Sequence, residues 1–251
     1  MIAALPMYDR PENRAAHDRL WELIRDNLRD RGVAAPDALD HDIGEMEGWA
    51  HPDLCLGQIC NLPWRAHFRD KVTVIGAADY GLPDCDAGFY RALFIVRKDD
   101  PAQKPDECVS YRFAINDGLS NSGYGAAQIW AQKRGASFTP TLRTGSHLGS
   151  LHAVAAGRAD LATIDAQTFR MCARWEADAQ KVKVIGSTDA SPGMTFITKL
   201  GQDPAPFRSA IKSAIESLDP ADQECLGLRG IVELPRHAYE IPLPPMPPEL
   251  A

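Results

Sequence analysis

The chain has 251 residues, 45% of them apolar, enough for one large domain or for two lobes of about 100 to 130 residues each with a sizeable core. A net charge of -7 and a pI of about 5.5 argue against a nucleic-acid partner, because a phosphate backbone calls for a concentrated basic surface. No apolar run approaches the roughly 18 to 20 residues that span a bilayer, so no membrane insertion is expected.

In chain order the pattern alternates strand and helix. The opening MIAALPMYDRPENR has no basic start, no long apolar stretch and no cleavage site, so the chain is read as soluble and without an export signal, or as a mature form with an added Met. Ile2 to Tyr8 reads as a strand. Pro11 to Arg31 reads as a helix with Ala16, Leu20, Leu23, Ile24 and Leu28 on one face, Pro11 in its first turn and Gly32 at its end. Leu54–Ile59, Val72–Ala77 and Arg91–Val96 read as further strands before Lys98-Asp99-Asp100-Pro101 breaks the pattern.

A second set follows: a strand at Tyr111–Ile115, a helix at Gly123–Arg134, a strand at Phe138–Leu142 and a helix at Ser146–Ala156. A strand at Asp160–Ile164, a helix around Thr168–Trp175 and a strand at Lys181–Ile185 complete it. After the turn-rich STDASPG of Ser187 to Gly193 come a strand at Met194–Thr198 and an amphipathic helix through Phe207, Ile211, Ala214, Ile215 and Leu218. The closing IPLPPMPPELA, residues 241–251, reads as an extended proline-rich tail.

This alternation predicts an α/β protein with mostly parallel sheets flanked by helices. The two breaks predict residues 98–187 as a lobe inserted into a discontinuous first lobe of residues 1–97 and 188–251. A ligand cleft is expected between the lobes.

Six cysteines, Cys55, Cys60, Cys85, Cys108, Cys172 and Cys225, form no C-x-x-C pair. Their spacing suits neither a zinc knuckle nor a small disulfide framework, and free buried thiols are expected, with no metal site and no cofactor.

Three stretches carry candidate chemistry, each where a strand feeds a helix. In AINDGLSNSGYGAAQIW, Ser120, Asn121 and Ser122 offer hydroxyl and amide donors at a helix start, and Gly123 and Gly125 permit close approach to the backbone. The loop fits either a Ser-capped tight turn or an anion cradle. It is no nucleophile elbow, since position 122 is Ser rather than Gly, and no dinucleotide fingerprint, since position 128 is Gln. In RTGSHLGSLHAV, Thr144 and Ser146 can cap a helix and His147 falls in its first turn, where a positive imidazolium is disfavoured. His147 is therefore read either as a donor to an anion or as a half-exposed surface residue, and His152 as structural. In TIDAQT, Asp165 reads as a helix cap, with a ligand ammonium group as the lesser alternative. Three such starts in one lobe favour a small-anion site.

These residues resemble the substrate-binding subunit of phosphonate and phosphite ABC transporters, which has the type 2 periplasmic binding fold. Ser120-Asn121-Ser122-Gly123 matches that family's Ser-Thr-Ser-Gly. Gly145-Ser146-His147, followed by the run from Ala153 to Ala162, AVAAGRADLA, matches a second signature, and Tyr90 in FYRALFIVRKD a third. The resemblance spans nearly the whole chain. It implies that Ser120, Ser122 and His147 hold phosphonate oxygens and that Tyr90 lines the cleft. This chain departs from the family at Asn121, which replaces a Thr. It also departs at Gln58-Ile59-Cys60-Asn61, where an aromatic is common, and at Asp165 and Gln167, either of which could stand for the family's amino-group carboxylate.

The resulting expectation is a two-lobed, monomeric solute-binding protein with an ABC permease as partner and a periplasmic location. Its inserted lobe would present helix starts to an oxyanion, while the first lobe closes over the ligand through Tyr90, Gln58, Asn61 and Asp189. Closure about the two crossings would exclude water. No catalysis is expected. The alternative is a cytoplasmic enzyme or ligand sensor on the same fold.

Overall fold

The computed structural model describes residues 1–249. Strand β1 (Ile2–Ala4) ends sooner than the sequence suggests, because Pro6 opens a short 3-10 turn at Pro6–Tyr8. Helix α1 (Arg14–Asp30) buries Leu20, Trp21, Ile24 and Leu28, the expected stripe. Its start lies beyond Pro11, because the Asn13 side chain accepts a bond from the Arg10 N–H and closes a turn there. Then follow α2 (Glu45–Ala50), β2 (Leu54–Ile59) and α3 (Asn61–Pro63), which continues as a π turn at Trp64–Phe68. Strand β3 (Val72–Asp79) comes next, and the chain then reaches the short β4 (Phe89–Tyr90).

The second set begins with β5 (Ala92–Arg97) and β6 (Phe113–Ile115), a π turn at Asn121–Gly125 running into α4 (Ala126–Gln132), and β7 (Pro140–Arg143). It continues with α5 (His147–Ala155), β8 (Leu161–Asp165), α6 (Ala166–Trp175), β9 (Val182–Ser187) and the short β10 (Ser191–Pro192). The chain ends with β11 (Thr195–Lys199), α7 (Pro204–Ser217), α8 (Pro220–Leu226) and β12 (Gly230–Val232). Helices α2 and α8 and strand β12 are too short to leave a periodic signal in the sequence.

Contacts divide the described residues into one unit of residues 1–89 and 192–240 and a second of residues 90–191 and 241–249. The inserted stretch is thus longer at both ends than residues 98–187. Strand β5, expected to close the first unit, pairs instead with β8 and β9 of the second. The tail at 241–249 also groups with the second unit rather than the first.

Each unit has a five-stranded sheet, ordered β1-β2-β11-β3-β12 in the first and β7-β6-β8-β5-β9 in the second. Both sheets are α/β but of mixed direction, a correction to the expectation of mostly parallel strands. In the first unit β1 and β2 run parallel, whereas β11 is antiparallel to β2 and β3, and β12 to β3. In the second, β7, β6 and β8 run parallel while β5 opposes β8 and β9. The reason is topological. Strands linked by crossover helices run parallel. Strands β5 and β11 instead follow directly on β4 and β10, where the chain passes from one unit to the other. Each enters its sheet from the carboxyl end of the parallel strands, so Ala92 pairs with Asp165 and Thr195 with Ile59.

In the second unit, side chains alternate across β5 with period two. Phe94 and Val96 join Phe113, Tyr124, Trp130 and Phe138 on one face, and Ile95 joins Leu151, Val154, Ile164 and Cys172 on the other. The first unit packs Trp49, Leu54, Ile59, Trp64, Phe68 and Ile197 together, with α1 against α7. Cys55, Cys60, Cys108 and Cys172 are buried, Cys85 and Cys225 half-buried, and all six are free thiols. Among the described residues, no helix is long and apolar enough to cross a membrane.

Candidate functional site

The adjacent parallel strands β7, β6 and β8 deliver α5, α4 and α6 from one edge of the second sheet. Their helix starts therefore lie side by side, each offering unpaired N–H groups and about half a positive charge. Ser120 caps the first. Its Oγ accepts from the Gly123 N–H at 3.0 Å, and its carbonyl accepts from the Gly125 N–H at 3.0 Å, the five-residue span of the π turn. Such turns are frequent at functional sites. Accepting leaves the Ser120 O–H free to donate elsewhere. A Cβ at position 123 would stand 1.6 Å from the Asn116 side-chain oxygen, so a larger residue there would have to push the Asn116 amide aside.

Ser122 and Asn121 are 1% and 2% exposed. The Ser122 hydroxyl meets His147 Nε2 at 2.9 Å, joining the first helix start to the second. Asn121 Nδ2 donates to the Tyr90 hydroxyl at 3.0 Å and to Ser191 Oγ at 3.2 Å. Tyr90 thus belongs to this cluster and to the second unit, not the first. Ser146 caps α5 by accepting from the Gly149 N–H at 2.9 Å. Asp165, fully buried, caps α6 by accepting from the Thr168 N–H at 2.8 Å, the role its sequence favoured.

His147 is half-buried and in its first helical turn. Desolvation lowers its pKa to about 4, opposed only in part by the main chain at Thr163. The ring is therefore neutral at ordinary pH. Its Nδ1 is buried and makes no hydrogen bond of good geometry, the Thr163 main chain being its polar neighbour, and the Thr163 hydroxyl and the Asn116 side-chain oxygen are buried without partners. Buried polar atoms without partners are rare and costly. Three of them lie around this one cluster, and others occur elsewhere among the described residues, Asp9 Oδ1, His17 Nδ1 and Asn61 among them. Ser120, Asn121, Ser122, Tyr90, Ser191 and His147 are all neutral, so the cluster offers hydrogen-bond donors rather than a cation.

Asp189 is not in this cluster. It is exposed and pairs with Lys133 on the surface of the second unit. In the first unit, Gln58 donates through Nε2 to the Tyr80 hydroxyl at 3.1 Å, and Tyr80 stacks edge-on against Tyr8 with ring centroids 5.0 Å apart. Asn61, 1% exposed at the carboxyl end of β2, has neither amide atom hydrogen-bonded. Sequence reasoning missed Thr163, Ser191 and Asn116. The only trace of Thr163 was a hydroxyl inside an apolar strand, and Ser191 was hidden among turn residues.

The family model for the phosphonate periplasmic substrate-binding protein of ABC transporters matches residues 61–234, well over half of the chain. A search of curated proteins finds no match. Several solved structures share the fold. PhnD1 from Prochlorococcus marinus, in complex with methylphosphonate, is 15% identical with a TM-score of 0.69, covering 95% of this chain and 94% of its own. A binding protein component of an ABC phosphonate transporter from Pseudomonas aeruginosa is 18% identical with a TM-score of 0.60, covering 89% and 76%. XAC2383 from Xanthomonas citri, bound to ATP, is 14% identical with a TM-score of 0.65, covering 95% and 92%. At these identities the likeness establishes the two-lobed periplasmic-binding fold, while the family match rests on the sequence. That family consists of transporter receptors rather than enzymes, and the chain belongs to it: it is a member of the periplasmic substrate-binding proteins of phosphonate ABC transporters.

Proposed function

We propose that this protein captures a phosphonate, phosphite or phosphate-ester head group at the helix starts of its second unit and presents it to an ABC permease. The Ser122–His147 pair carries the reading, because it joins two helix starts at one point with the neighbouring Nδ1 unsatisfied. In this reading Ser120 and the backbone around Gly123 donate to head-group oxygens. Ser122 and the neutral imidazole of His147 spend one hydrogen on the bond between them, so the pair supplies one further donor, and Ser146 and Asn121 complete the cradle with Tyr90. Asp165 remains a cap. Asp189 has no part. The protein acts in the periplasm as a monomer.

Neutral donors suit a small anion, since hydrogen bonds to an ionised acceptor contribute about 1.5 to 3 kcal/mol each. The test is calorimetric titration of ligand-free protein with methylphosphonate, phosphite, phosphate and an aminoalkylphosphonate. Binding of the first two is expected. With the Asp165 carboxylate engaged in capping, no preference for the amino compound is expected. An absence of heat from the whole panel would sink the proposal.

A further inference from the structure

The proline-rich segment after Glu240 groups with the second unit, and its contacts fall on the loop that leads into the cradle. Tyr124, inside the π turn that carries Ser122 and Gly123, is 2% exposed. It donates its hydroxyl to the Pro245 carbonyl at 2.8 Å. Gly118, six residues earlier, lies bare against the Pro247 ring, where a Cβ would stand only 2.5 Å from the ring's Cγ. Asp117, Leu119 and Arg143 share a hollow with residues 246–249. The entrance to the loop is closed by the Leu119 N–H donating to the Asp117 carboxylate at 2.8 Å and the Ser120 N–H to the Asp117 carbonyl at 3.1 Å, with Arg143 also on that carboxylate. Tyr124 and Gly118 flank Ser120 to Ser122, so the tail touches the cradle loop on both sides of its donors.

We propose that residues 241–249 form a strap that holds the loop at 117–125 in the conformation that sets Ser122 against His147, with Tyr124 and Gly118 as positioning residues. The strap makes the site's affinity depend on a segment that touches no ligand. Proline suits the task. Its fixed φ leaves little freedom to lose on docking, and its carbonyls are open acceptors. Gly118 permits the approach because any side chain there would displace Pro247. A loop that is binding-competent only part of the time loses apparent affinity by that fraction, so holding it raises affinity without adding a ligand contact. This inference rests on the anion site proposed above.

The experiment compares the full chain, a chain ending at Glu240 and Tyr124→Phe in the full chain. Each is titrated with methylphosphonate and phosphite and followed by amide hydrogen exchange. Strap removal is expected to weaken binding about tenfold, and Tyr124→Phe about threefold, if the free loop is competent roughly a tenth and a third of the time. Exchange at the Gly123 and Gly125 amides should rise in parallel while β5, β6 and β8 stay protected. Adding the peptide IPLPPMPPE to the shortened chain should restore both affinity and protection. Unchanged affinity and exchange, or exchange rising evenly over the whole unit, would overturn the strap. If the shortened chain fails to fold, Tyr124→Phe decides by the same readouts. If the full chain binds neither anion, the site reading fails, and exchange at Gly123 and Gly125 still judges the strap.

Discussion

His147 in the second unit and His41 in the first are the same residue in opposite settings. His147 meets a hydroxyl and a buried helix start, and desolvation holds its pKa down at about 4. His41 stands between two carboxylates, with Nδ1 at 2.7 Å from Asp9 and Nε2 at 2.8 Å from Asp18. Burial lowers its pKa too, but the bonds to Asp18 and Asp9 outweigh burial and raise it. Beside it His17, buried, is pushed down by desolvation against the pull of Asp9, and Arg14 also reaches Asp9, at 3.3 Å. The contrast is one of charge. The His41 corner sets a ring between two carboxylates and ties the loop around Asp40 to α1. The His147 corner is neutral. Both keep buried atoms without a partner, Asp9 Oδ1 and His17 Nδ1 in the first and His147 Nδ1 in the second, so charge rather than satisfaction sets them apart.

The largest effect should come from breaking the His147 side alone. A saturating anion at a hundredfold excess over its Kd adds about 2.7 kcal/mol of stability, or roughly 5 to 10 °C in melting temperature for a chain this size. Ser122→Ala with His147→Ala should abolish that rise in a thermal shift measurement. His41→Ala should leave it intact. A lost shift in the His41 variant would erase the contrast.

Gly123→Ala should come next. A methyl group there collides with Asn116, and overpacking costs about 1 to 3 kcal/mol. Urea unfolding should report the loss, together with weakened anion binding. His41→Ala should cost a comparable or smaller amount, about 1 to 3 kcal/mol, by leaving half-buried Asp9 short of a partner, again read from urea unfolding.

The smallest effect is pH dependence, and it sharpens the comparison by sign. In the unfolded chain both rings titrate near 6.5. His147, lowered when folded, makes the folded state lose stability as pH falls from about 6.5 toward 4. His41, raised when folded, contributes stability below 6.5 that is lost as pH climbs through its folded value. Proton NMR of the two rings should place His147 well under and His41 above the ordinary value. His147→Gln should flatten the acid limb of the stability curve only.

Much of this was legible in the sequence. Strand β2 has the limits its apolar run implied, and the buried stripe of α1 follows its period. The helix starts at Ser120, Ser146 and Asp165 are capped by the residues their types suggested. Capping and periodicity are local, so neighbouring residues suffice to determine them. Tertiary structure decided the rest. It set β5 and β11 antiparallel, because strand direction depends on the end from which the chain enters a sheet. It moved Tyr90 into the second unit and onto Asn121, and left Asp189 outside on Lys133. It brought Ser122 within 2.9 Å of His147 across 25 residues of chain. It also lowered the imidazole's pKa, since desolvation belongs to a place in the fold and not to a residue type.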